Sequence, residues 1–111
     1  MISIVNKKTH IPTANDVYCG RGSPLGNPFD WRGSKLAQYK AKDRDDAIEK
    51  YEGWLEKQIE IKNKPVCDEL NKIYKKVKVG EEINLVCFCV PLRCHCEVVK
   101  EVICDKLRDF I

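Results

Sequence analysis

Between positions 87 and 96 the chain reads Cys-Phe-Cys-Val-Pro-Leu-Arg-Cys-His-Cys, which places four thiols and an imidazole in ten residues. Thiolates and neutral imidazole are the usual zinc ligands, and thiolates are also strong nucleophiles. The residue types therefore open a zinc reading, with Cys87, Cys89, Cys94 and either His95 or Cys96 as the four donors. The spacing is tighter than paired C-x2-C knuckles and no second knuckle follows, so zinc is the alternative and not the leading expectation. The start of a helix offers a different chemistry, because its first amides are unpaired, its dipole is positive and a thiol there is acidified. On that reading Cys94 and His95 are the candidate catalytic pair, one a nucleophile and the other an acid, a base or a hydrogen-bonding partner of a ligand. The plain alternative is that free cysteines act as small buried hydrophobes, the expectation for Cys87, Cys89, Cys67 and Cys104.

A second stretch has the composition of a ligand loop. Residues 20–28 read Gly-Arg-Gly-Ser-Pro-Leu-Gly-Asn-Pro, with three glycines and two prolines. Glycine allows positive φ or close approach, while Pro24 and Pro28 fix φ and stiffen the path. Arg21 presents a planar fork of donors that suits phosphate or carboxylate. Ser23 and Asn27 add short donors and acceptors, and the backbone amides of the 20–26 loop and of the start of the last helix are expected to cradle an anion together. The pattern is neither a P-loop nor G-x-G-x-x-G, so no motif mechanism carries over.

These two stretches need a scaffold. Residues 2–6 and 17–19 read as short strands, the second after the breakers Pro12, Asn15 and Asp16. Residues 30–42 read as irregular and polar, with room for a hidden strand and with Trp31 and Tyr39 as packing anchors. From Asp43, the residues Ala47, Ile48, Tyr51, Trp54, Leu55, Gln58 and Ile59 follow helical spacing on one face. Tyr51 and Trp54 are expected there as core residues. A second helix over 65–77 has Pro65 in its first turn and Val66, Leu70, Ile73, Tyr74 and Val77 as its stripe. Residues 83–90 are apolar on both parities, as in a central strand covered on both faces. A last helix over 94–110 carries His95 on the row 95, 98, 99, 102, which directs its ring inward over the sheet edge. His10 is expected at the surface, and Asp16 as a turn residue. The order predicts a small α/β, Rossmann-like sandwich with a short, at least partly parallel sheet and about three helices.

Composition limits the function classes. The 111 residues suit a single domain spanning 1–111, and 43% hydrophobic with 33% charged residues excludes a disordered chain. A net charge of +3 spread over interleaved Lys and Glu is no nucleic-acid footprint, and no stretch reaches the length of a membrane helix. The N-terminus does not read as a signal peptide, so a reducing, cytoplasmic setting is expected. Seven cysteines cannot all pair with one another in such a chain.

The motifs Tyr18 to Phe29 (Y-x-G-R-G-S-x-x-G-N-P-F), then Arg44, Ala47, Ile48, Tyr51, Trp54 and Leu55, then Cys87, Cys89, Pro91, Cys94 and His95 follow one another along most of the chain. In this order the sequence resembles a family of small phage and bacterial domains of unknown function. The resemblance implies a small α/β fold, a viral or mobile-element context (host cytoplasm if viral), and one site formed by Arg21, Ser23, Asn27, Cys94 and His95. It departs from the family pattern at Cys96, where glycine is usual, so it implies no ligand role for that thiol.

Three functions are carried forward. The first is a small anionic, nucleotide-like ligand bound by Arg21, Gly22, Ser23, Gly26 and Asn27, with His95 or Cys94 supplying any chemistry; binding and turnover stay open. The second is a non-enzymatic phage protein that occupies a host protein. The third is a zinc-stabilised interaction module using Cys87, Cys89, Cys94 and His95.

Overall fold

The computed structural model describes residues 1–20, 22–30, 39–88 and 92–108. In chain order the elements are β1 (Ile2–Asn6), β2 (Asp16–Tyr18), β3 (Phe29–Asp30), β4 (Tyr39–Lys40), α1 (Arg44–Glu60), α2 (Lys64–Lys78), β5 (Ile83–Cys87) and α3 (Cys96–Arg108). Three strands form a parallel sheet in the order β1-β5-β2. β3 and β4 form a separate two-residue parallel ladder, with β3 against α1. The protein is thus a mixed α/β globule with a short parallel sheet and, among the described residues, three helices.

β5 takes the middle position, as its two-sided apolar sequence demands. The in-register rows Ile2–Ile83 and Ile4–Leu85–Val17 face one core, which also takes in Tyr51 and Leu55 of α1, Leu70 and Ile73 of α2, and Val99 and Ile103 of α3. Each such side chain contributes roughly 1.5–3 kcal/mol by leaving water. The layering differs from a Rossmann-like sandwich. All three helices pack into the core on this one face, and the reverse face carries Ser3, Val5, Asn84, Val86 and Tyr18. Val86 is buried there between its register neighbours Val5 and Tyr18. In a sheet of three strands the flanking side chains can shield a central residue without a second helical layer.

Helix boundaries follow capping chemistry. Asp43 starts α1 by accepting a hydrogen bond from the Asp46 amide at 2.8 Å. α2 begins at Lys64, with Pro65 in the first turn as expected. Ile59, assigned to the buried stripe of α1, is 38% exposed in the last turn of the helix. β5 stops at Cys87 and not at 90, because its partners end there: Asn6 closes β1 opposite Cys87, and the last ladder bond is Lys7 N–H to the Cys87 carbonyl at 2.8 Å. Phe88 then turns out into solvent, while residues 89–91 lie outside the described residues. α3 starts at Cys96, two residues later than the expected 94, because Cys94 and His95 supply the carbonyls that accept its first amides. The strand sought within 30–42 appears as β4, where Tyr39 packs its ring on Phe29 at 5.1 Å; Trp31 lies outside the described residues.

The turn before β2 is organised by Asp16. Its carboxylate accepts from the Thr13 amide at 3.0 Å, the Thr13 hydroxyl at 2.9 Å and Asn84 Nδ2 at 3.1 Å, and pairs with His10 at 2.9 Å. The Thr13 amide, followed by His10, Asn84 and the Thr13 hydroxyl, holds this carboxyl well below the usual carboxylate range. His10, expected at the surface, is half-buried by this pairing.

Candidate functional site

The glycine-rich loop is two consecutive turns. Ser23 N–H donates to the Gly20 carbonyl at 3.2 Å, and Gly26 N–H to the Ser23 carbonyl at 3.0 Å. Gly22 sits third in the first turn with φ +92°, a conformation that L side chains resist. The second turn runs Ser-Pro-Leu-Gly, with proline second and glycine fourth, the placement that type I turns favour. Gly20 lies directly under the Tyr18 ring, where a Cβ would come within 2.1 Å of the hydroxyl oxygen.

Four contacts anchor this loop to the core. The Leu25 side chain is fully buried, and its carbonyl accepts from the Tyr51 hydroxyl at 2.7 Å. Burial raises the Tyr51 phenol well above its ordinary pKa, so it is a neutral donor. His95 Nε2 hydrogen-bonds the Cys19 carbonyl just before the loop. A carbonyl only accepts, so Nε2 carries a proton. Asn27 Nδ2 donates to the Ala47 carbonyl of α1 at 3.3 Å, while its Oδ1 accepts from Phe29 N–H at 2.9 Å. The Ser23 hydroxyl donates to the Gly20 carbonyl at 2.7 Å.

The outer side of the loop faces a groove of about 370 Å³. One wall is Gly22, Ser23, Pro24, Gly26, Asn27 and Pro28; the other is Trp54 of α1 with Asn63, Pro65 and Val66 at the start of α2. Trp54 leans on Tyr51 with ring centroids 5.5 Å apart, which fixes its indole at the groove wall. α2 has no side-chain cap and no acidic residue in its first turn. Asn63, at its cap position, donates instead to Gln58 Oε1 at 2.7 Å. The groove therefore combines a stiff glycine loop, an aromatic side chain and the positive end of a helix.

The inner side of the loop is a different environment. The sulfurs of Cys87, Cys94 and Cys96 lie within 4.8 Å of one another, and Cys19 is buried in the same core cluster. All four thiols are buried. The hydrogen bonds from Cys19, Cys87 and Cys94, reinforced by burial, push the Cys96 thiol far above its ordinary range. Cys94 Sγ accepts from the Cys96 amide at 3.5 Å and contacts His95 Nδ1 at 3.5 Å. The edge of the His95 ring packs against Tyr51 at 4.9 Å.

The residues singled out from the sequence thus divide between two compartments. Gly22, Ser23, Gly26 and Asn27 line the groove, although the Ser23 hydroxyl and the Asn27 amide also hold the loop together. Cys94 Sγ and His95 Nδ1 lie 3.5 Å apart, but beneath the loop, and neither residue lines the groove. Of the zinc set, Cys87 and Cys94 come together, His95 touches Cys94, and Cys89 lies outside the described residues, as does Arg21. Sequence reasoning missed Trp54 and Asn63 as groove residues and Cys19 as a neighbour of the thiol cluster, while the zinc reading already counts Cys96 as an alternative fourth donor. Helical spacing placed Trp54 beside the core, where it does pack, but gave no sign that one of its edges is open.

The family model of a domain of unknown function, DUF4326, matches residues 2–105, so the chain belongs to that family. No curated protein and no solved structure matches it.

Proposed function

We propose that this DUF4326 member is a binding module for a small anionic, nucleotide-like ligand seated in the groove between the 20–28 loop and the start of α2. The observation that carries this reading is the pairing of two anion-favouring backbone features across one groove. A glycine-rich turn lies on one side, and the uncapped, acid-free first turn of α2 on the other. Trp54 supplies an aromatic surface for a base between them. Arg21, next to Gly22 in the chain, is the side chain proposed to pair with the phosphate. A volume of about 370 Å³ falls in the range of small-molecule sites. His95 and Tyr51 support this site by holding the loop from within, so binding is the proposed role and Cys94 and His95 position the loop. The viral origin implied by the resemblance belongs to the same reading.

A panel of mono-, di- and trinucleotides, dinucleotides and inorganic phosphate, followed by thermal shift and by quenching of the Trp54 emission in a Trp31→Phe background, tests it. A ligand at a hundredfold excess over its Kd should add about 2.7 kcal/mol of stability, visible as a rise of several degrees. Arg21→Ala should abolish the shift. A flat panel, with Arg21→Ala indistinguishable from the parent chain, overturns the reading.

A further inference from the structure

We propose that Cys19, Cys87, Cys94 and Cys96 form a closed, structural zinc(II) site beneath the glycine loop. This goes beyond the groove reading and does not rest on it.

The cluster is assembled from three places in the fold: the residue after β2, the last residue of β5, and the turn and first residue of α3. Three sulfurs already lie within 4.8 Å of one another, and the fourth thiol, Cys19, is buried in the same core cluster, its carbonyl hydrogen-bonded to the His95 ring between Cys94 and Cys96. Tetrahedral coordination with Zn–S near 2.3 Å puts ligand sulfurs about 3.8 Å apart, so Cys87, Cys94 and Cys96 need to close by about an ångström or less, while Cys19 lies outside their 4.8 Å set and moves further to complete the site. All four thiols are buried, which leaves no open coordination position and marks a structural site instead of a catalytic one. As packing alone the cluster is weak, since thiols are poor hydrogen-bond partners and four of them gather where aliphatic side chains would fill the space.

The surroundings fit a site with excess negative charge. Binding breaks four S–H bonds and forms four Zn–S bonds, with four protons released to solvent, no change of oxidation state and a net charge of −2 left on the cluster. The amide of Cys96 already points at Cys94 Sγ, the contact that stabilises a ligating thiolate. His95 Nδ1 lies 3.5 Å from the same sulfur, and Cys96 opens α3 at its positive end. Bound metal would clasp β2, β5 and α3 together and stiffen the segment from which the loop departs.

The test uses the full-length chain purified under reducing conditions without chelator. Elemental analysis should find about one zinc per chain. Cobalt(II) added to the metal-stripped chain should give thiolate charge-transfer bands and tetrahedral d–d bands of four-sulfur intensity. Chelator should lower Tm by roughly 10 °C or more. Because serine variants of buried cysteines can fail to fold, thiol labelling of the unmutated chain in mild denaturant, with and without chelator, locates the site by mass spectrometry. Cys19, Cys87, Cys94 and Cys96 should become reactive only when chelator is present, while Cys67 and Cys104 react alike in both. Equal labelling in both conditions, or a metal-free chain with no cobalt bands, overturns the site. Chelator-dependent exposure of Cys89 in place of any of the four overturns the assignment of ligands.

Discussion

On its outer side the 20–28 loop presents groups that water reaches: the exposed Gly22 and Pro24, the half-buried Ser23 and Asn27, and across the groove Trp54 and Asn63. On its inner side the same few residues meet a dry layer, where the Leu25 side chain, the Tyr51 hydroxyl, the His95 ring and four thiols are buried with almost every polar atom paired. The difference teaches what each side can do. A helix end that still faces water can exchange solvent for a ligand. Groups that have already exchanged water for each other hold a shape, and a charge forming among them needs a compensating partner. The Cys94–His95 pair, attractive as chemistry in the sequence, lies on the side that holds the shape.

Substitutions can break this contrast, and the largest effect belongs to the dry side. Leu25→Ala empties a fully buried position and should cost about 2–5 kcal/mol in denaturant unfolding, taking ligand response with it. Tyr51→Phe removes only the hydroxyl that serves the Leu25 carbonyl, so about 1–3 kcal/mol should be lost while the core stays packed. Loss of ligand response in Tyr51→Phe well below its Tm would tie the inner anchor to the outer groove; an unchanged response would separate them.

On the wet side the effects should be smaller and of another kind. Gly22→Ala meets no atom within 4 Å, so its cost is the backbone conformation alone, about 1–2 kcal/mol by thermal unfolding. Asn63→Asp offers α2 an acidic cap and puts negative charge at the groove. Stability should change by no more than about 0.5 kcal/mol while affinity for the anionic ligand falls, an outcome that neutral packing residues cannot produce. Least affected is the remote turn at Asp16, which serves as a control. Its carboxyl is held below its unfolded value, so the stabilisation it gives is present above about pH 4 and is lost as pH falls further. Asp16→Asn should flatten that acid limb in a pH series of melting curves and leave the ligand panel unchanged.

Much of the scaffold was legible because its signals are local. The stripe Ala47, Ile48, Tyr51 and Leu55 shows the period of α1, and the continuous apolar run of β5 announces a middle strand. Ser23-Pro24-Leu25-Gly26 spells its turn residue by residue. Where the reading failed, a distant neighbour decided. β5 ends at Cys87 because Asn6 and Tyr18 end their strands, and Ile59, in the last turn of α1, is 38% exposed. His95 was rightly placed inward, yet whether an inward imidazole meets a ligand or a carbonyl depends on where Cys19 lies.

The sequence by itself determined that a stiff glycine loop and a cysteine-rich strand-to-helix junction are the two notable places in a small α/β chain, since side-chain period and turn chemistry act over a few residues. Only the tertiary structure decided that the junction lies beneath the loop, that the Cys19 carbonyl meets the His95 ring beside the Cys87, Cys94 and Cys96 cluster, and that Trp54 and Asn63 close the groove. Those relations join parts of the chain far apart in sequence. They arise from parallel strand register and helix packing, which place atoms together through the core and leave no periodic trace in the residues themselves.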